Sequence, residues 1–228
     1  MKIPNFIAMA SVSVTLALAL PAWSATESPV STALPDTQSV SASAFASGSD
    51  TLLPGIMSPM EKVMWGRHGL ARSVTGWDLT EESREKEMGL RRTMLTVHEI
   101  SGLTTLAFMI ATVVYGQLAL NEYRTPAPGS ESNSRYGDIH STLVGFTIFT
   151  YATTATLALL TPPPSIRRHE WSTVSTHKAL AWVHVTGMIV TPILAGYIRD
   201  SREALRFHQI SGYVTTAAFA GAVVAVTF

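Results

Sequence analysis

"TMLTVHEISGLTTLAFMIATVVYGQLAL", residues 93–120, decides how this chain folds. The stretch is 28 residues long and carries one formal charge, at Glu99. A bilayer core needs roughly 20 consecutive apolar residues in helical form, so a single helix here is long enough to cross it. Three later stretches have the same make-up: "IHSTLVGFTIFTYATTATLALLT" (139–161), "THKALAWVHVTGMIVTPILAGYI" (176–198) and "FHQISGYVTTAAFAGAVVAVTF" (207–228). The segments between them are polar or proline-rich: "NEYRTPAPGSESNSRYGD", "PPPSIRRHEWS" and "RDSREALR". Prolines exclude helix interior from the second of these. The expected fold class is therefore all-α, a four-helix transmembrane bundle. Pro192 falls inside the third span, where a bundle can re-satisfy the freed carbonyl, so a kink is expected there.

The rest of the composition agrees. Of 228 residues 46% are hydrophobic and 14% charged, against about 25% charged in an ordinary soluble domain. Zero net charge gives no basic field for nucleic acid. The absence of cysteine excludes disulfides, iron–sulfur ligation, thiolate zinc and a C-x-x-C-H haem attachment. The N-terminus reads as a secretory signal: Lys2, then the apolar "FIAMASVSVTLALAL", then small residues that place cleavage after Ser24. Residues 25–58 are rich in Ser, Thr, Ala and Pro and read as a disordered exported linker. Residues 59–91 read as a charged, amphipathic segment solvated at the membrane surface, and residues 92–228 as the four-span core. An exported N-terminus runs the first span inward, although basic residues flanking the spans lean the other way, seven to five.

Five of the seven histidines sit near span starts: His98, His140, His177, His184 and His208. His68 and His169 lie in polar segments. An ionisable side chain within a span is costly and marks function by default. Antiparallel spans alternate which end faces which side. N-terminal histidines on the first and third spans therefore share one membrane face, and those on the second and fourth share the other. His98 can face a partner on the third span, and His140 can face His208. Each pair suits the two axial positions of a b-type haem iron, since imidazole is a common ligand and cysteine is unavailable. By depth His177 matches His98, and His184 lies about 10 Å deeper. The residue four on from each histidine shares its face: Gly102, Ala181, Gly212 and the larger Val144, with Met188 after His184. A macrocycle against the histidine needs a small neighbour, which favours His177. His184, on the same face, stands as the alternative ligand or a contact to the haem edge.

The pieces "HEISGL", "HKALAWVHV" and "HQISGY" resemble the His-x-x-x-Gly helix starts of the cytochrome b561 family. The resemblance covers about 98–228. It implies a four-helix core holding two haems b on opposite membrane sides, with His98 and His177 ligating one iron and His140 and His208 the other. Members of that family commonly take electrons from ascorbate or a partner domain, and some reduce ferric iron. The outer helices of the eukaryotic members have no counterpart here, and "HSTLVGF" fits loosely.

The expected function is electron transfer across the membrane by a two-haem cytochrome, or a transmembrane oxidoreductase built on it. No catalytic residue is assigned. Arg91, Arg92, Arg167, Arg168 and Lys178 on one face, and Arg202 and Arg206 on the other, are candidates for haem propionates or an anionic donor; Trp182 and Tyr213 read as packing residues. A different class of reading is a haem-free bundle, a proton relay or a metal carrier with His98, His140 and His208 as ligands; a third is a structural subunit of a larger complex that holds haem without a substrate site of its own. Expected partners are membrane lipid, an unspecified redox donor and acceptor, and either a second copy or a larger membrane complex.

Overall fold

The computed structural model describes residues 52–124, 135–165 and 171–227. The signal sequence, the linker up to residue 51, and Arg167, Arg168 and His169 lie outside the described residues. All regular structure among the described residues is helical: α1 (Pro59–Trp65), α2 (Leu70–Thr75), α3 (Glu81–Arg124), α4 (Arg135–Leu160), α5 (Thr173–Ala195) and α6 (Arg202–Thr227). The last four are long and apolar enough to cross a membrane, and they contain the four expected spans except for Thr161 after α4 and residues 196–198 after α5, with Phe228 outside the described residues. The chain is a multi-pass membrane protein of all-α class.

The helices pack as two antiparallel hairpins, α3 with α4 and α5 with α6. The hairpins meet through α3 and α6, and Tyr151 on α4 hydrogen-bonds His184 on α5 at 2.9 Å. The order around the bundle is thus α3, α4, α5, α6, with α3 diagonal to α5 and α4 diagonal to α6. The expected kink at Pro192 does not end α5, which runs through it to Ala195.

The outside of the bundle is apolar, with Phe146, Phe149, Ile189 and Ile193 exposed. About half of its buried positions are polar: Thr105, Thr147, Thr154, His184 and Thr215, beside Gly102, Met109, Leu120, Phe219 and two alanines. A soluble core buries a smaller share of polar side chains. In lipid there is no hydrophobic drive between helices, and small residues and hydroxyl hydrogen bonds join them. Ser101 Oγ meets Thr154 Oγ1 at 2.6 Å, Thr112 meets Thr147 at 3.0 Å, and Thr191 meets Ser211 at 2.7 Å.

Residues 59–91 differ from the expected solvated segment. Ser58 and Glu61 form a capping box that starts α1, and Gly76, at φ 68°, ends α2 in the left-handed region that glycine tolerates. Residues 81–91 are the outermost three turns of α3 and extend about 16 Å beyond its apolar run. α1 packs against the end of α4, and α2 reaches these turns through Arg72. Trp65 is buried, and its indole N–H donates to the carbonyl of Leu160 at the end of α4 (2.8 Å). Glu87 is fully buried between Arg72 (2.6 Å) and Arg84. Arg84 also donates to Pro163 O at 3.3 Å, and Arg91 to Pro162 O at 2.6 Å. Four charges of this stretch, Arg72, Arg84, Glu87 and Arg91, are thus paired with one another or with carbonyls of the prolines after α4, while Glu81, Glu82, Glu85 and Lys86 stay exposed as expected. Outside the cluster, the exposed Glu82 carboxyl is held below its ordinary range by its hydrogen bond to Lys86.

Candidate functional site

The structure brings four of the five span histidines together in two pairs. His98 on α3 faces His177 on α5, with ring centroids 6.2 Å apart and planes at 76°. His140 on α4 faces His208 on α6 at 6.4 Å and 83°. Both pairs cross the bundle on its diagonals, so each lies in the interior and takes one histidine from each hairpin.

Each ring is aimed by the same device. His98 Nδ1 lies 2.9 Å from Thr154 O, His140 Nδ1 2.8 Å from Thr112 O, His177 Nδ1 2.8 Å from Ala222 O, and His208 Nδ1 2.9 Å from Thr191 O. A carbonyl only accepts, so Nδ1 carries the proton in all four. In the neutral ring the lone pair is then on Nε2, available to a metal. The carbonyl in each case belongs to the other helix of the same hairpin.

A spacing rule underlies this. Thr112 is fourteen residues beyond His98, Thr154 fourteen beyond His140, Thr191 fourteen beyond His177, and Ala222 fourteen beyond His208. Within a hairpin, each histidine thus bonds the residue fourteen positions past the other histidine. The two layers of histidines are about 21 Å apart along the bundle. Halfway between them, seven residues past each histidine, are Thr105, Thr147, His184 and Thr215, all buried. Three helices therefore carry His, Thr and a small residue at heptad spacing along one stripe, and on α5 the middle threonine is replaced by His184. A strict seven-residue repeat keeps a stripe facing the partner helices.

His184 belongs to neither pair. It is buried, hydrogen-bonded to Tyr151, and packed edge-on against Phe219 at 4.9 Å between centroids. The geometry thus joins His177, and not His184, with His98.

The glycines divide into two groups. A Cβ on Gly116 would sit 2.9 Å from the His140 ring, and one on Gly187 would collide with the Thr215 hydroxyl; here close packing excludes a side chain. A Cβ on Gly102 would come no closer than 3.8 Å to Thr154, and one on Gly212 no closer than 3.9 Å to Thr191. Helix packing leaves room for a methyl group at both positions that follow a histidine by four. A cavity of about 80 Å³ lies between all four helices, bordered by Thr112, Val144, Thr191 and Gly212, just inward of the His140–His208 pair.

The remaining expected residues are spread around this core. His68 is exposed, as are Arg92, Lys178, Arg202 and Arg206, while Arg91 is held by Pro162 O. Trp182 does not pack inward: it is 76% exposed on the outer face. Tyr213 donates to Gln117 Oε1 at 2.6 Å, and Gln209 does so at 2.8 Å, closing the α3–α6 contact. Among the described residues no group of three or more His, Asp or Glu side chains converges as a metal cluster would. No family model, curated protein or solved structure matches the chain.

Proposed function

We propose that the chain is a b-type cytochrome in which His98 and His177 hold one haem and His140 and His208 a second, and that it carries electrons across the membrane between a donor and an acceptor. The observation that carries this reading is the pair of diagonal, carbonyl-oriented histidine couples at two depths. An imidazole–metal–imidazole sandwich with bonds of ~2 Å on each side spans roughly 6 Å between ring centroids. The distances of 6.2 and 6.4 Å fit that. Each pair also offers two ligands only. A zinc site takes four ligands, at least three from protein, whereas two opposed imidazoles are complete when the iron's other positions belong to a macrocycle. That speaks against the haem-free metal carrier. Gly102 and Gly212 put the smallest side chains on the turn after His98 and His208, with space there for a methyl group.

Haem iron, when bound, supplies the one-electron chemistry. The chain's own part is to hold and tune. Thr154, Ala222, Thr112 and Thr191 carbonyls fix each imidazole's tautomer and rotation and raise its basicity. With a hydrocarbon thickness of about 30 Å and layers about 21 Å apart, each pair lies a few ångströms inside one edge of the apolar core. An exported N-terminus, as the signal-like residues 1–24 imply, would put the His98–His177 pair toward the outer face.

The test is haem stoichiometry in purified membrane protein, with a reduced-minus-oxidised spectrum. Two haems b per chain are expected. His98→Ala and His177→Ala should each abolish the same one, and His140→Ala and His208→Ala the other, while His184→Ala keeps both. Well-folded protein without haem overturns the reading.

A further inference from the structure

The α1–α2 cap poses a separate question. Its inner side is committed to the buried Arg72–Glu87–Arg84 cluster and to Trp65. Its outer side shows apolar side chains in helical register: Met60 and Val63 on α1, Leu70 and Val74 on α2. Val74 is 86% exposed and Leu70 58%. A single exposed apolar residue needs no explanation, but two short helices that each turn one outward do.

The level of the cap identifies what covers it. Trp65 bonds the last carbonyl of α4, Leu160, and Arg91, the basic residue that closes the charged part of α3, bonds the next carbonyl but one, Pro162 O. Both contacts fall where charged sequence gives way to the apolar runs of α3 and α4, which is where the hydrocarbon ends. Arg72 reaches Glu87, four residues farther out on α3, so α2 rides about 6 Å beyond that boundary. Helices that lie in a membrane interface sit at this height, with the apolar face some 5–10 Å into the headgroup and upper acyl region. Lys62 and Arg67 are exposed beside the apolar faces, as suits anionic headgroups. A second protein is the poorer fit. Specific interfaces use about 20–30 residues a side, and here the apolar side chains are few and split by the Gly66–Gly69 turn.

We propose that the α1–α2 cap is an interfacial anchor, with the Met60–Val63 and Leu70–Val74 faces immersed in the bilayer that the four long helices cross. This depends on the membrane fold and not on haem.

The absence of cysteine makes the test direct. Single cysteines at Val63→Cys, Leu70→Cys and Val74→Cys are nitroxide-labelled in the full chain, reconstituted in phosphatidylethanolamine–phosphatidylglycerol vesicles, with Glu82→Cys as the aqueous reference. Relaxation by oxygen, which concentrates in lipid, is compared with relaxation by a water-soluble nickel chelate. The oxygen-to-nickel ratio should be severalfold higher at the three cap positions than at residue 82. A ratio equal to that of residue 82 overturns the proposal in favour of a water-exposed face. Shielding from both reagents overturns it in favour of a protein partner or a second copy. Haem content does not enter either outcome.

Discussion

Gly116 and His184 are the residues at which the site can be probed without touching a ligand. Alanine at Gly116 favours the helix by about 1 kcal/mol, yet its Cβ falls 2.9 Å from the His140 ring. We expect Gly116→Ala to keep the fold and the His98–His177 haem and to lose the His140–His208 haem, read as one haem per chain by pigment extraction. His184→Thr restores the residue type of the other three helices at that depth. Both haems should be retained, while Tyr151 loses its partner across α4 and α5. The cost should be about 1–3 kcal/mol, visible as a lower melting temperature in detergent. The four paired histidines were legible in the sequence because each interrupts an apolar run near its start, and alternating helix direction sorts them by face. Depth and a small residue four positions on favour His177 over His184, and in the structure His177 is the one that faces His98. The buried threonines Thr105, Thr147 and Thr215 are harder to read. Threonine inside a span is compositionally bland, and its signal was the spacing His-x6-Thr-x6-Thr, which shows only when all four spans are aligned on their histidines.

The part of the fold least legible in the sequence is residues 59–91, the two short helices and the first turns of α3. Charges at Arg72, Arg84 and Glu87 look like a solvated helix because nothing local reveals that they will meet. Arg84 also donates to the carbonyl of Pro163, 79 residues away in the chain. Removing one partner of a buried ion pair typically costs about 3–5 kcal/mol, because the other charge is stranded. Glu87→Ala strands two arginines, so α1 and α2 should leave their seat on α3 while the four spans stay folded. Limited trypsin digestion would then cut at Arg67 and Arg72 well before any cut in the bundle; unchanged protection would mean that Trp65 alone holds the cap.

At the scale of the molecule, length and composition were enough to place four spans, since a bilayer sets helix length independently of partners. Which helices stand diagonal was not legible, because lateral order depends on side-chain fit that a hydropathy pattern does not carry. That order has a consequence for assembly: every site takes one histidine from each hairpin. Cutting the chain between residues 165 and 171 should leave two hairpins that copurify when haem is supplied and separate more readily when its synthesis is limited, since a ligand shared by both halves stabilises only the joined state. Copurification indifferent to haem would place the joining energy in the Gln117–Gln209–Tyr213 and Tyr151–His184 contacts alone. The fourteen-residue interval has a further effect, on which changes of length the chain tolerates. One residue inserted between His98 and Thr112, or within any of the three equivalent intervals, turns the helix beyond it by about 100° and lifts it by 1.5 Å. The carbonyl that aims the opposing imidazole then faces elsewhere. The α5–α6 connection at 196–201 lies outside these intervals and carries no such rule, and each hairpin acts as a ruler that holds its two histidines at one fixed separation.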